Sequence, residues 1–251
     1  GEFYICPMYN LMIRDGAKVG IKQVEKMHVL GTPAELEFFV EHVTAKFGEK
    51  HQIISFDDLT EITKEAFFEA DVVFDFFVAE EPEALTFYEQ RPDLTVFTNM
   101  AMSSFGNLQI FQHQTQNTVF GFNGLPTFIN RSVLECSLQD ETEKEKLNLL
   151  CGKLETDFEI VEDRVGMVTP RVICMIINEA YYTVQEGTAE RKDIDLGMKL
   201  GTNYPFGPFE WCDKIGIEKV YELLEAVYDD TKEERYKICP RLKKEYLAVI
   251  E

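Results

Sequence analysis

Positive charge is scarce in this chain. Lys and Arg number 25 against 45 Asp and Glu, which leaves a formal net charge of -20. A surface that acidic repels phosphate backbones, so no nucleic-acid partner is expected. The shortage is also local, because no Lys or Arg occurs between Lys64 and Arg91. An anionic ligand meets no cation in that stretch. Apolar runs long enough to cross a membrane, about 18 residues, are missing, so no span is expected. Residues 1–20 have no basic start followed by an apolar run, and no secretory leader is expected. The cysteines Cys6, Cys136, Cys151, Cys174, Cys212 and Cys239 are scattered, without a C-x-x-C pair. That spacing suggests neither a zinc site nor a redox motif. Reduced thiols, a cytoplasmic location and no bound metal are the expectation.

What is present is a large apolar fraction, 45% of 251 residues, enough for a buried core and two domains. Residues 1–22 carry no clear signal. From Val24 the pattern alternates. Residues 27–30 read as a short buried strand, ended by Gly31-Thr32-Pro33. A helix follows over 34–47, with Leu36, Phe39, Val40 and Val43 on one face and Gly48 as its stop. Residues 53–56 read as a strand and 63–68 as a helix. The stretch 72–77 is apolar on both faces, as a strand in a parallel sheet is. Further strands are expected at 94–97, 118–122 and 132–138, and a polar helix at 141–154. The β-α-β-α-β alternation predicts a doubly wound parallel sheet.

The character changes after Asp163. Ile173, Ile176, Ile177, Ala180, Tyr181 and Val184 recur at helical spacing. Gly187 ends that helix. A second runs over 191–200, and Val220, Leu223, Leu224 and Val227 mark a third. Residues from about 164 onward therefore read as an all-helical domain.

Within it stands Asp193, Asp195, Gly201, Pro205, Gly207, Pro208 and Phe209, in the pattern D-x-D-x-x-x-x-x-G-x-x-x-P-x-G-P-F. Physically this is a helix capped near Asp193, ended around Gly201 and followed by a rigid turn. The pattern resembles the C-terminal domain of 3-hydroxyacyl-CoA dehydrogenases. The resemblance implies a Rossmann-like doubly wound parallel sheet over 24–163. An all-helical domain of the 6-phosphogluconate dehydrogenase C-terminal kind would follow over 164–251. It also implies NAD as cofactor, an acyl-CoA-like ligand and a homodimer formed through the helical domain. The apolar helix after Arg171 and the aromatics Phe206, Phe209 and Trp211 suit such an interface.

The residues that should carry the family's chemistry depart from its motifs. Its phosphate turn resembles G-x-G-x-x-G, and the matching stretch here is Gly31-Thr32-Pro33-Ala34-Glu35-Leu36. Gly31 is kept. Pro33 has no N–H to donate, and Leu36 is too large for close helix-strand packing. The same residues make a capping box, with Thr32 at the N-cap, Pro33 at N1 and Glu35 at N3. Glu35 then puts a carboxylate where a pyrophosphate would sit. Asp57 is either a ribose-binding acid or a solvated loop residue.

In the family a His takes the proton, in a pattern like G-x-H-F-F-N-P, and a Glu twelve residues later orients it. Aligned on Gly121 and Glu135, the spacing is kept and Asn123 stands at the His. Asn accepts no proton near neutral pH. Alignment on Asn123-Gly124 puts Phe120 there instead. Glu135 reads either as a retained site residue or as a solvated strand residue. The substrate-contacting Ser and Asn of the family match Ala101, after Asn99 in a stretch like S-N-T-S-S, and Pro170, in a stretch like G-F-x-x-N-R. Ser103 and Ser104 lie close by. The CoA-binding helix pattern E-x-x-x-x-K-x-x-x-F falls on residues 81–90, which contain no Lys. None of His28, His42, His51 and His113 falls on the base position.

Together these departures predict a 3-hydroxyacyl-CoA dehydrogenase-like protein of acyl-CoA metabolism with impaired or absent hydride transfer. Glu135 and Asn123 would be its vestigial catalytic pair. Gly31 and Asp57 would be its cofactor contacts, and Asn99, Ala101 and Pro170 its substrate contacts. The alternative is an active 3-hydroxyacyl-CoA (3-hydroxybutyryl-CoA) oxidoreductase with an atypical site.

Overall fold

The computed structural model describes residues 41–55, 64–76, 85–111 and 116–250. The expected strand at 27–30, the turn from Gly31 to Leu36, Asp57, His28 and His113 lie outside them. The helix expected over 34–47 is present in its described part, residues 41–47 (α1). Then come α2 (Lys64–Glu69), β1 (Val72–Asp75), α3 (Leu85–Tyr88), β2 (Thr95–Asn99), α4 (Phe105–Phe111), β3 (Thr118–Phe122), β4 (Val133–Leu138), α5 (Lys144–Lys153) and β5 (Asp157–Ile160). Of residues 53–56, where a strand was expected, 53–55 form none and Phe56 lies outside the described residues. Ile53 still packs against the core, since apolar pattern reports burial and not ladder pairing.

The described strands form one sheet in the order β1-β2-β3-β4-β5. β1, β2 and β3 are mutually parallel, as are β4 and β5. β3 and β4 run antiparallel. A parallel return needs a crossover of about a dozen residues or more, usually helical. The connection 123–132 has no helix, so the chain turns back on itself. The next connection passes through α5 and restores the parallel direction. β5, absent from the sequence reading, alternates exposed and half-buried residues at the sheet edge.

Strand periodicity splits the two faces. Phe74, Phe97, Phe120 and Phe122 point one way, onto Phe47, Leu147 and Cys151. Phe74 and Phe97, paired in register, stack with centroids 4.8 Å apart. Val96 and Val119 point the other way, onto Phe67, Leu85, Tyr88, Phe105 and Leu108. Helices therefore cover both faces of the sheet.

The C-terminal part is helical: α6 (Thr169–Gln185), α7 (Arg191–Thr202), α8 (Pro208–Ile215), α9 (Ile217–Thr231) and α10 (Pro240–Ile250). α8 and α10 were not anticipated. α7 starts at Arg191, as read from the sequence, with Asp193 in its first turn, and it ends at Thr202, with Asn203 in the left-handed conformation (φ 56°). That end falls one residue past Gly201, which lies on an open helix surface. No helix among the described residues is long and apolar enough to cross a membrane.

The D-x-D…G-P-F pattern now has a physical cause. Asp195 in α7 is buried, and its Oδ1 accepts the Phe209 N–H at 2.8 Å while Oδ2 accepts that of Glu210 at 3.3 Å. It thereby caps α8 from a different helix. Gly207 is required by this contact: a Cβ there would lie 2.4 Å from Asp195 Cα. Phe209 and Trp211 fill the core at 5% and 3% exposure, so they are not the exposed interface aromatics expected from sequence.

One cation binds four helices. The Arg191 guanidinium lies over the rings of Tyr181 (5.1 Å) and Phe209 (4.7 Å). It bonds Glu245 of α10 at 2.6 Å, and Tyr181 donates its hydroxyl to the same carboxylate at 3.1 Å. Burial pushes the Glu245 carboxyl up, but the Arg191 bond and charge, with the Tyr181 and Arg241 bonds, outweigh it and hold it below its ordinary value.

Two outcomes follow from this packing. Gly207→Ala should cost about 1–3 kcal/mol by urea unfolding, as overpacked substitutions do, whereas Gly197→Ala on the open surface of α7 should cost nothing. A depressed carboxyl stabilises above its unfolded pKa, about 4.3, and that gain is lost as pH falls through the folded value. The difference in melting temperature between wild type and Glu245→Gln should therefore hold near pH 6 and shrink towards about pH 3. A pH-independent difference would show that the carboxylate charge is not what stabilises.

Candidate functional site

In open α/β sheets, ligands lie beyond the carboxyl ends of the parallel strands. β2 ends there at Asn99 and β3 at Phe122, with Asn123 next in the chain. The register of β3 against β4 pairs Phe120 with Leu138, Gly121 with Ser137 and Phe122 with Cys136. One step further, Asn123 opposes Glu135, and the Asn123 N–H donates to the Glu135 carbonyl at 3.0 Å. The side chains meet as well: Asn123 Nδ2 donates to Glu135 Oε2 at 3.2 Å. The twelve-residue spacing is thus the register of an antiparallel pair. The other alignment fails, since Phe120 faces the aromatic side of the sheet against Phe97.

Glu135 is not a solvated strand residue. Its Oε1 accepts the N–H of Val168 at 2.6 Å and that of Thr169 at 3.0 Å, both at the start of α6. Val168 has no side chain able to cap this helix. Pro170, the next residue, has no N–H to satisfy. Arg171 N–H goes to Gly166 O and Val172 N–H to Val168 O. The orphan donors of the first turn of α6 are thereby all accounted for, two of them by Glu135.

Asn99 ties the neighbouring loops. Its Oδ1 accepts the Ala101 N–H at 3.2 Å and the Gly124 N–H at 3.0 Å. A side chain at Gly124 would press on Asn99 Cγ at 2.8 Å and on Phe76. Ala101 is fully buried, and its carbonyl accepts the Gly166 N–H at 3.0 Å. Ser104 caps α4 by accepting the Asn107 N–H at 3.2 Å, so its hydroxyl is engaged structurally. The structure therefore gathers Asn99, Ala101, Asn123, Glu135 and the turn holding Pro170. Gly31 and Asp57 lie outside the described residues.

Arg131 anchors the connection between β3 and β4. Its guanidinium lies 4.7 Å from the Phe128 ring and 5.6 Å from the Trp211 ring, and those two rings stack. Burial lowers its pKa, against the opposing pull of the Glu135 carboxylate.

Sequence reasoning missed a polar row one step below this edge. Asp75, Thr98, Gly121 and Ser137 are register neighbours on one face of the sheet. Asp75 accepts the Tyr88 hydroxyl at 2.5 Å, and burial together with the Asp75 charge pushes the Tyr88 phenol far up. Thr98 Oγ1 and Ser137 Oγ are buried without a hydrogen-bond partner. An Asp inside the apolar run 72–77 was the one available sign. Among the described residues no group of three or more His, Cys, Asp and Glu side chains is placed to hold a metal.

Comparison with known proteins agrees with this arrangement. Residues 166–248 match the model of the 3-hydroxyacyl-CoA dehydrogenase C-terminal domain. The chain is 41% identical over 87 residues to the 3-hydroxyadipyl-CoA dehydrogenase of Escherichia coli (strain K12), covering 35% of this chain and 18% of that protein. It is 40% identical over 84 residues to a probable 3-hydroxybutyryl-CoA dehydrogenase of Bacillus subtilis, covering 34% and 29%. Its matched segment thus spans less than a third of either relative. A longer match, 25% identical over 223 residues, joins 86% of this chain to 68% of the rat mitochondrial hydroxyacyl-coenzyme A dehydrogenase. The crystal structure of a (S)-3-hydroxybutyryl-CoA dehydrogenase from Ralstonia eutropha shares the fold, with a TM-score of 0.63 at 20% identity over 86% of this chain and 81% of that one. Residues 166–248 are thus similar to the C-terminal domain of the 3-hydroxyacyl-CoA dehydrogenase family.

Proposed function

We propose that this chain is a 3-hydroxyacyl-CoA dehydrogenase-like protein that binds an acyl-CoA-like ligand and has lost NAD-dependent hydride transfer. One observation carries the reading: the residue bonded to Glu135 at 3.2 Å, where the family pattern has its base, is Asn123. Oxidation of a hydroxyl needs an acceptor for its proton, and an amide is none. Asn123 also has little freedom to act otherwise, because its Oδ1 accepts the Leu125 N–H at 3.3 Å. Its remaining N–H suits a carbonyl oxygen. Ala101 and Pro170 supply no hydroxyl or amide where the family has a Ser and an Asn. NAD would sit on the turn from Gly31, where Pro33, Glu35 and Leu36 remove a donor, add a negative charge and block close packing.

The division into a sheet domain, 24–163, and a helical domain, 164–251, belongs to this proposal. So does a cytoplasmic location, in keeping with the free, buried Cys136, Cys151, Cys174, Cys212 and Cys239. The second reading, an active 3-hydroxyacyl-CoA (3-hydroxybutyryl-CoA) oxidoreductase with an atypical site, is favoured by the half-buried carboxylate that Glu135 keeps at this edge.

Calorimetry should find NADH binding weaker than ~1 mM, equivalent to about 4 kcal/mol. A thermal shift with acetoacetyl-CoA alone should raise the melting temperature, since a ligand that binds only the native state stabilises it. Micromolar NADH affinity, or turnover of a 3-hydroxyacyl-CoA, would establish the second reading instead. The same domain should form a homodimer. α7 exposes Leu196 and Leu200 at 53% and 79%, and α6 exposes Val172 at 46%, which is apolar surface suited to a second copy. A monomeric mass by light scattering at micromolar protein would end the dimer proposal.

A further inference from the structure

We infer that Asn123 and Glu135 form a clamp between the sheet and the helical domain, and that this holding role is what the pair does in this chain. The inference goes beyond the ligand reading and stands whether or not the cleft binds an acyl-CoA. Four donated contacts converge on one carboxylate. Val168 N–H and Thr169 N–H reach Oε1, Asn123 Nδ2 reaches Oε2, and Thr169 N–H reaches Oε2 at 3.4 Å. Every partner is a donor, and an ionised carboxylate, with about four lone-pair directions and no hydrogen, is the matching group.

The elements joined are far apart in sequence: the end of β3, the middle of β4 and the first turn of α6, 33 residues beyond Glu135. Gly166 N–H to Ala101 O and Phe105 N–H to Asp163 pin the same junction from two further sides. Glu135 reaches the turn of α6 that has no cap of its own. The start of that helix is therefore seated on the sheet by charge and by its dipole.

Asn123 suits a clamp better than a base does. An imidazole donates to the carboxylate or accepts a proton according to its state. The Asn123 amide donates at every pH, and its oxygen is fixed on the Leu125 N–H. A carboxylate at position 123 would face Glu135 with no proton between them and would push the clamp open.

Hydrogen exchange on the full chain tests this, with α9 as the internal reference. Glu135→Ala and Asn123→Asp should each raise exchange at Val168 and Thr169 by about tenfold or more while α9 amides keep their rates, the signature of local opening. Glu135→Gln should lie between, because its oxygen still serves the two backbone donors while its NH2 opposes that of Asn123. Unchanged exchange at Val168 and Thr169 in Glu135→Ala would overturn the clamp. So would a uniform rise that includes α9, which would mean general destabilisation. A failed acyl-CoA thermal shift in the wild type bears only on the ligand reading.

Discussion

A helix start leaves N–H groups without partners in the helix, and the junction of this molecule is built around meeting that demand. Three helices begin against a carboxylate supplied by another part of the chain. Glu135 of β4 serves α6, Asp195 of α7 serves α8, and Asp163 meets the Phe105 N–H at the start of α4. Each contact positions an element more than it adds net energy. Removing the Asp195 carboxylate would strand the buried Phe209 N–H in a place where nothing replaces its acceptor. Burial pushes the Asp163 carboxyl up, against the backbone N–H groups of Phe105 and Gly106 that favour its charge.

Two of the scarce basic residues carry structural duties from partly exposed positions. Arg191 sits on two aromatic rings and one carboxylate. Arg131 sits on the stacked pair Phe128 and Trp211, which joins the β3–β4 connection to α8. Both guanidinium groups act through flat contact with aromatics as well as through charge, which Lys would not reproduce. The acidic balance of the chain is therefore more than a solvated surface, because part of it is committed to caps and to these pairs.

At the carboxyl edge the fold gathers amide and carboxylate groups into one geometry. Asn99 bridges two loops, and Glu135 reaches the residue twelve positions before it. Backbone and carboxylate contacts hold the sheet against the start of α6. Asn123, Ala101 and Pro170 each fit their local structural surroundings. Pro170 even spares the first turn of α6 one donor.

Much of this was legible in the sequence. Apolar period gave the strands at 72–77, 94–97, 118–122 and 132–138, and helical spacing gave α6, α7 and α9. Glycine, proline and aspartate spacing pointed to the family before any contact was known. Spacing also named Asn123 and Glu135 as a pair. Periodicity could not reveal that β4 runs against β3, because alternation is the same in either direction. That reversal alone places Asn123 opposite Glu135; a helical crossover to a parallel β4 would have separated them. Nor could sequence show that the Glu135 carboxylate reaches α6, or that Phe209 and Trp211 lie inside. Those depend on how two separately patterned domains meet, and only tertiary packing decides which donors and which apolar faces end up out of water.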